Sequence, residues 1–248
     1  MYTVSEIHDE YFVTILQRAK RTDADLKQEF TYYDRECNLA DISAGIQDSH
    51  ALILDKNDTA TAVDQMMLHG AGMMPELLPL RTVRELRAFV DEKNTAVRGT
   101  SAEYPVTTGH QRISYGIDAT EDPRVISALQ QLHANSFLKD LLQDLVGPNP
   151  SLTEITAITA SVGCVDQGWH ADVKADGNAM RFGQTYSHSY SLFIPLQDTT
   201  GAMGATDLCP GTHYCGDELH DICEASTVGL HDIMGGGVWR AGDGVLFK

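Results

Sequence analysis

The sequence contains few basic residues: 18 lysines and arginines stand against 35 aspartates and glutamates, a formal net charge of −17. A field of this sign repels phosphate backbones and anionic lipid surfaces, so the charge argues against nucleic-acid or membrane-surface partners. No apolar run approaches the ~18 residues that cross a bilayer, and the first residues show neither the basic nor the apolar region of a secretory signal. These absences predict a soluble, cytoplasmic protein.

Cysteine is also sparse. The five cysteines are odd in number and scattered, unlike the dense framework of a small secreted protein, and we expect most to be buried or free thiols. Cys209 and Cys215, with His213 and His220 nearby, have five residues between them, whereas structural zinc sites favour two to four. The spacing therefore predicts no zinc site.

The chain divides by texture into two parts. Residues 1–60 form an N-terminal appendage, with a helix predicted over residues 5–26 and a polar, irregular stretch broken by the strand-like residues 51–54. Residues 61–150 form a helical scaffold in which apolar residues recur at helical spacing near 82–93, 123–132 and 137–146. Thr82 and Ser136 are predicted caps, and Gly147-Pro148 predicts a stop. Each helix has one apolar stripe, so we expect all three to pack on one face of a sheet.

After residue 150 the pattern changes to short apolar or alternating runs at residues 155–159, 190–194 and 245–247. Glycine, aspartate and asparagine turns separate these runs, which predicts strands of a sandwich, barrel or jelly roll. The predicted fold class is α+β and mainly β, with the helices flanking the strands.

One histidine and one carboxylate have the spacing of metal ligands. Residues two apart on a strand point to the same side, so His170 and Asp172 would present an imidazole and a carboxylate to one point. Non-haem Fe(II) oxygenases use two histidines and one carboxylate on one face of the metal. The pair taken alone is more typical of a surface contact than of a metal site.

Four motifs in order change this interpretation. The sequence contains Gln167-x-Trp-His170-x-Asp172, the predicted strand at 190–196, Gly204-Ala-Thr-Asp-Leu-Cys-Pro-Gly-Thr-His213, and Gly242-Asp-Gly-Val-Leu-Phe247. Together they resemble the phytanoyl-CoA dioxygenase-like family of Fe(II)- and 2-oxoglutarate-dependent oxygenases. The resemblance spans roughly residues 100–248 and does not include residues 1–60.

The resemblance implies a double-stranded β-helix, a cupin-like jelly roll, within an oxygenase-like domain at 61–248 whose β core occupies 151–248. It implies His170 and Asp172 as iron ligands on the second core strand, 2-oxoglutarate as co-substrate and hydroxylation of a small organic substrate. In the family a distal histidine ligand and a 2-oxoglutarate-binding arginine follow the Gly-Asp element. The sequence reaches Lys248 before both, so we expect a C-terminally incomplete core and an inactive chain as given.

The remaining candidate residues receive structural interpretations. The Pro-Gly-Thr-His213 element resembles a family turn whose histidine does not bind metal, and we expect a rigid turn with a solvated histidine. His231 and Arg240 precede Gly242-Asp243 instead of following it, so we reject them as the distal pair and interpret His231 as a surface residue. Tyr186 and His188 are candidates for lining a substrate pocket.

A different class of function stays open at this point. The alternative to a dioxygenase is a non-catalytic fragment or pseudoenzyme that keeps the scaffold for binding, because the later ligand and arginine are missing.

Overall fold

A computed structural model of the chain describes residues 49–97, 112–148, 150–170, 172, 189–213, 223 and 227–248. The helix predicted over residues 5–26 lies outside the described residues. The predicted strand-like run at 51–54 is wrong, because this stretch begins as a 3-10 helix, Ser49–Leu52, and only Ile53 forms a bridge, to Met73. Leu52 and Leu54 are buried, so this apolar run contributes side chains to the core although it does not form a strand.

Four α-helices lie within residues 59–146, and a capping side chain precedes three of them. Helix α1 is Thr59–His69, α2 is Leu80–Val97, α3 is Pro123–Ala134 and α4 is Ser136–Val146. At the start of α1 the Asp58 carboxylate accepts hydrogen bonds from the Thr61 hydroxyl and the Thr61 amide, and these two bonds hold the pKa of Asp58 below its usual value. Helix α1 ends at Gly70, whose φ of 68° is the left-handed conformation that glycine adopts readily.

Helices α2, α3 and α4 confirm the three helices predicted from periodicity, and α4 ends before Gly147 as predicted. Two predicted caps are wrong. The side chain that caps α4 belongs to Asn135, which accepts a hydrogen bond from the Leu138 amide at 3.0 Å, and not to Ser136. Thr82 lies inside α2, where its buried hydroxyl donates to Oε1 of Gln131 in α3.

Helices α2 and α3 cover one face of a two-stranded antiparallel sheet. Strand β2, Arg112–Gly116, pairs with β3, Thr156–Ala160, and Tyr115 lies opposite Ala157 in the ladder. These two residues join Phe89 of α2 and Leu129 of α3 in one buried cluster. Because burial removes water from the phenol, the pKa of Tyr115 rises to about 12.

A three-stranded antiparallel sheet forms the centre of the fold. Strand β1, Ala71–Met74, and strand β4, Ser191–Phe193, pair with opposite edges of β9, Gly244–Phe247. In this register Leu192 lies opposite Leu246, and both side chains join a buried cluster with the apolar residues of α1 and α4. All three predicted helices, α2, α3 and α4, contribute to the buried cluster that contains Leu246, so they do not form a separate bundle. The expectation that they pack on one face of a single sheet is met only in part, because α2 and α3 also cover the β2–β3 sheet.

The opposite face of this sheet is covered by the remaining short elements. These are β5 (Thr199–Thr200), β6 (Asp207–Leu208), β7 (Val228–Gly229), α5 (Leu230–Ile233) and β8 (Val238–Trp239), with β5 pairing β8 and β6 pairing β7. Val245 and Phe193 pack there with Ile233 and Trp239. The side-chain alternation of β4 and β9 thus separates two buried layers.

Among the described residues the strands make four separate antiparallel sheets and no closed barrel. The described residues thus form helices and small antiparallel sheets, and the mainly β fold class and the double-stranded β-helix stay predictions. No helix within the described ranges has the length and apolar character to span a membrane.

Candidate functional site

The segment that carries His170 and Asp172 is not a strand. Residues 161–170 and residue 172 have no strand pairing, although Ser161 and Cys164 close a turn through a backbone hydrogen bond of 2.9 Å. The two side chains were predicted to share one face of a strand, and this part of the prediction is wrong because the described residues here form no strand. The two side chains nevertheless lie together, with Nε2 of His170 3.5 Å from Oδ1 of Asp172.

A backbone carbonyl orients the imidazole of His170. Nδ1 lies 2.8 Å from the carbonyl oxygen of Gly168, and because a carbonyl only accepts, Nδ1 carries the hydrogen. In the neutral ring Nε2 then keeps its lone pair, and that nitrogen is the one facing Asp172. Metal-binding histidines commonly have their second nitrogen held in this way.

The separation of the two donor atoms fits a shared metal ion. Two ligands at right angles, each about 2.1 Å from one ion, lie about 3 Å apart. The observed 3.5 Å requires a shift of only a few tenths of an ångström, and the side chain of His170 is 53% exposed and that of Asp172 30% exposed. Both are open to a metal from solvent, and an imidazole nitrogen with a carboxylate oxygen suits a divalent transition metal.

The pair supplies two ligands of the three that a facial triad uses. Within the part of the chain that the structure describes, no three histidine, cysteine, aspartate or glutamate side chains form a group able to hold a metal. His231 and His213 are both described, so neither completes the site in this conformation. Tyr186 and His188, predicted as pocket-lining candidates, lie outside the described residues.

His213 packs against other parts of the fold, so the expectation of a solvated histidine is wrong. Its Nε2 lies 3.2 Å from the carbonyl oxygen of Met67, and its ring packs on Gly70, where a Cβ atom would lie 2.3 Å from Cγ of the ring. Because such an approach is possible only with glycine, Gly70 serves both as the left-handed cap of α1 and as the seat of this ring. The predicted turn is present, with its histidine half-buried.

His231 is likewise not the surface residue that was predicted. Its side chain is 22% exposed, and its ring fits against Gly201 and Gly229. Nε2 lies 3.4 Å from Oδ2 of Asp232, which is itself 63% exposed. The chain thus contains a second histidine–aspartate pair of nearly equal spacing, outside the four motifs, which provides a matched control for the first.

Two cysteines depart from the expectation of free thiols. Cys209 and Cys223 form a disulfide, while Cys164 is free. The other residues of the rejected zinc grouping, Cys215 and His220, lie outside the described residues. Sequence spacing carries no signal for this disulfide, since the pairing depends on how distant segments meet.

The sequence analysis also missed the Gly168 carbonyl and the role of Asp243. Asp243 belongs to the Gly-Asp element used for the resemblance, and its buried carboxylate accepts a hydrogen bond of 2.8 Å from the Glu76 amide. It therefore joins the β8–β9 turn to the β1–α2 turn. The Gly-Asp-Gly turn was the available signal in the sequence, but spacing revealed neither the burial of the aspartate nor its distant partner.

Comparison of the chain with protein-family models, with curated proteins and with solved structures found no match. The functional argument therefore rests on the residues of this chain, on their geometry and on the ordered motifs described above.

Proposed function

We propose that the protein is an Fe(II)- and 2-oxoglutarate-dependent dioxygenase that hydroxylates a small organic substrate. The observation that carries the proposal is the approach of Nε2 of His170 to Oδ1 of Asp172 at 3.5 Å, with Nδ1 anchored on Gly168. The four ordered motifs around this pair support it. The net charge of −17 supports a small-molecule substrate over a nucleic acid or a membrane surface.

Each residue has a defined task in this proposal. Bound iron(II) would supply the redox chemistry that couples consumption of 2-oxoglutarate and O₂ to hydroxylation of a C–H bond. His170 offers the Nε2 lone pair, Gly168 fixes the ring so that this nitrogen faces Asp172, and Asp172 supplies a negative charge that offsets part of the charge of the cation. We assign no residue to 2-oxoglutarate binding.

A second candidate function is a non-catalytic binding protein on the same scaffold. The observation that favours it is that the described residues bring only two ligands together. The two functions differ in one measurable respect, because a binding protein releases no succinate from 2-oxoglutarate.

The test uses protein made from the complete gene, loaded anaerobically with Fe(II) and then exposed to O₂ and 2-oxoglutarate. We expect one equivalent of bound iron and release of succinate, and we expect His170→Ala and Asp172→Ala each to abolish turnover and weaken iron binding about 10-fold or more. Asp232→Ala, which breaks the second pair, is the control and should retain both. Stoichiometric iron binding without succinate supports the binding protein, and equal iron binding by wild type and His170→Ala refutes the metal assignment.

A further inference from the structure

The C-terminal end of α1 is capped by a turn from a distant part of the chain. The last carbonyls of a helix have no partner within the helix. Here the His69 carbonyl accepts a hydrogen bond of 2.7 Å from the Gly211 amide, and the Met67 carbonyl faces Nε2 of His213 at 3.2 Å. We call residues 209–213 the capping turn. They lie about 140 positions further along the chain than the two helix carbonyls that they satisfy.

The capping turn is closed at its first residue. The carbonyl of Cys209 accepts a 2.6 Å hydrogen bond from the Thr212 hydroxyl, and the Cys209 sulfur is bonded to Cys223. The disulfide thus fixes covalently the residue from which the capping turn begins. Loss of this bond leaves the turn held by hydrogen bonds and by the contact of His213 with Gly70.

The two cysteines differ in exposure. Cys209 is partly exposed, whereas Cys223 is 1% exposed. An incoming thiolate therefore reaches the Cys209 side first, because attack proceeds at an accessible sulfur. In a cytoplasmic protein a disulfide is usually transient and either catalytic or redox-sensing.

We propose that the Cys209–Cys223 disulfide is a redox latch that secures the capping turn on α1. A low-molecular-weight thiol such as glutathione attacks Sγ of Cys209, forms a mixed disulfide there and releases Cys223 as a thiolate, which takes a proton. A second thiol attacks the glutathione sulfur and releases Cys209. Two thiols are oxidised to one disulfide, and the protein disulfide is reduced to two thiols.

The consequence reaches the central sheet. Gly70 closes α1 and is followed directly by β1, and the Gly70 carbonyl accepts a hydrogen bond of 2.9 Å from the Lys248 amide after β9. A released capping turn therefore loosens the last turn of α1 at its junction with the sheet. The latch does not depend on the proposed dioxygenase activity.

The test is made on the intact chain without denaturant. The protein is equilibrated in glutathione buffers of graded potential, free thiols are alkylated and counted by mass spectrometry, and amide exchange is followed in peptides that cover residues 64–72 and 209–213. We expect Cys209 and Cys223 to become reactive together under native conditions, with exchange in both peptides rising about tenfold or more. Cys164, the control thiol, should react at every potential.

Variants separate the latch from general destabilisation. Cys209→Ser and Cys223→Ser should show the fast exchange of the reduced protein at all potentials, and Cys164→Ser should behave as wild type. The proposal is overturned if the two cysteines are alkylated without any reductant, if they resist reduction until the protein unfolds, or if their reduction leaves both peptides protected as before.

Discussion

At the scale of single residues, Asp243 combines the deepest burial of any described acidic side chain with an incomplete set of partners. It is 2% exposed, Oδ1 accepts from the Glu76 amide, and Oδ2 has no hydrogen-bond partner. Burial raises the pKa of Asp243 above its ordinary value of 3.8, against the opposing effects of the Glu76 amide and the positive charge of Arg240.

The sign of the resulting pH effect follows from linkage. Because the pKa of Asp243 is higher in the folded than in the unfolded chain, the folded protein binds the proton more tightly. Its contribution to stability is full below pH 3.8 and is lost as the pH rises through the raised pKa. Asp243→Asn keeps an oxygen for the Glu76 amide and removes the charge, so this part of the pH dependence should disappear.

Urea unfolding of wild type and Asp243→Asn from pH 4 to pH 7 checks this prediction. The difference in free energy of unfolding should move in favour of the asparagine variant as the pH rises. Asp140→Asn, at an exposed position of α4, is the control for removal of a carboxylate. Asp243→Ala should lower the free energy of unfolding by about 1 kcal/mol through loss of the Glu76 hydrogen bond. Parallel curves for wild type and Asp243→Asn would contradict the assignment.

The candidate site shows which residue features were readable from the sequence. The spacing of His170 and Asp172 predicted their proximity, and the 3.5 Å separation agrees, but the chain achieves it without a strand. The orienting carbonyl of Gly168 was not predictable, because every residue has a carbonyl and only the backbone path selects one. The same limit applies to the Met67 carbonyl, which lies 3.2 Å from Nε2 of His213.

At the scale of elements, periodic helices were predictable and their caps were less so. Helices α2, α3 and α4 follow from apolar residues that recur at helical spacing, and Pro123 at the first position of α3 agrees with the sequence signal. Helix α1 was missed, because it begins at Thr59, at the end of a stretch that looks polar and irregular. Asn135 and not Ser136 caps α4 because Asn135 has the extended backbone conformation of a cap, and the local sequence does not determine which of the two residues adopts it.

Asn135 and Ser136 offer a direct test of capping at the start of α4. Asn135 accepts from the Leu138 amide, so Asn135→Ala should lower the free energy of unfolding by about 1 kcal/mol. Ser136 is exposed and is the first helical residue, so Ser136→Ala should change it by less than about 0.5 kcal/mol. Asn135→Asp, which keeps an accepting oxygen, should stay close to wild type. Denaturant titrations compare the three, and a larger loss for Ser136→Ala would reverse the assignment.

At the scale of the whole molecule, one sheet organises two buried layers. Helices α1 and α4 contribute apolar side chains to the layer on one face, and α5 with β8 contributes to the layer on the other. Strand β4 pairs with β9 along one edge, and no described residue pairs with its other edge. The sequence predicted strands of this class after residue 150, but their grouping into four small sheets depends on long-range pairing, which local patterns do not specify.

The net charge of −17 has its own consequence for stability. Like charges repel more strongly in the compact state than in the expanded chain, and salt screens this repulsion. Raising NaCl from 10 to 200 mM shortens the screening length from about 30 Å to below about 10 Å, so the melting temperature should rise, by about 2–4 °C for each kcal/mol recovered. Tetramethylammonium chloride at equal ionic strength should have the same effect, because screening does not depend on cation identity.

A variant that carries Asp64→Asn, Asp140→Asn and Asp144→Asn loses three exposed negative charges from α1 and α4, and its melting temperature should depend less on salt. A melting temperature that falls with salt would show instead that favourable pairs, such as Arg124 with Glu92 at 2.7 Å, outweigh the repulsion.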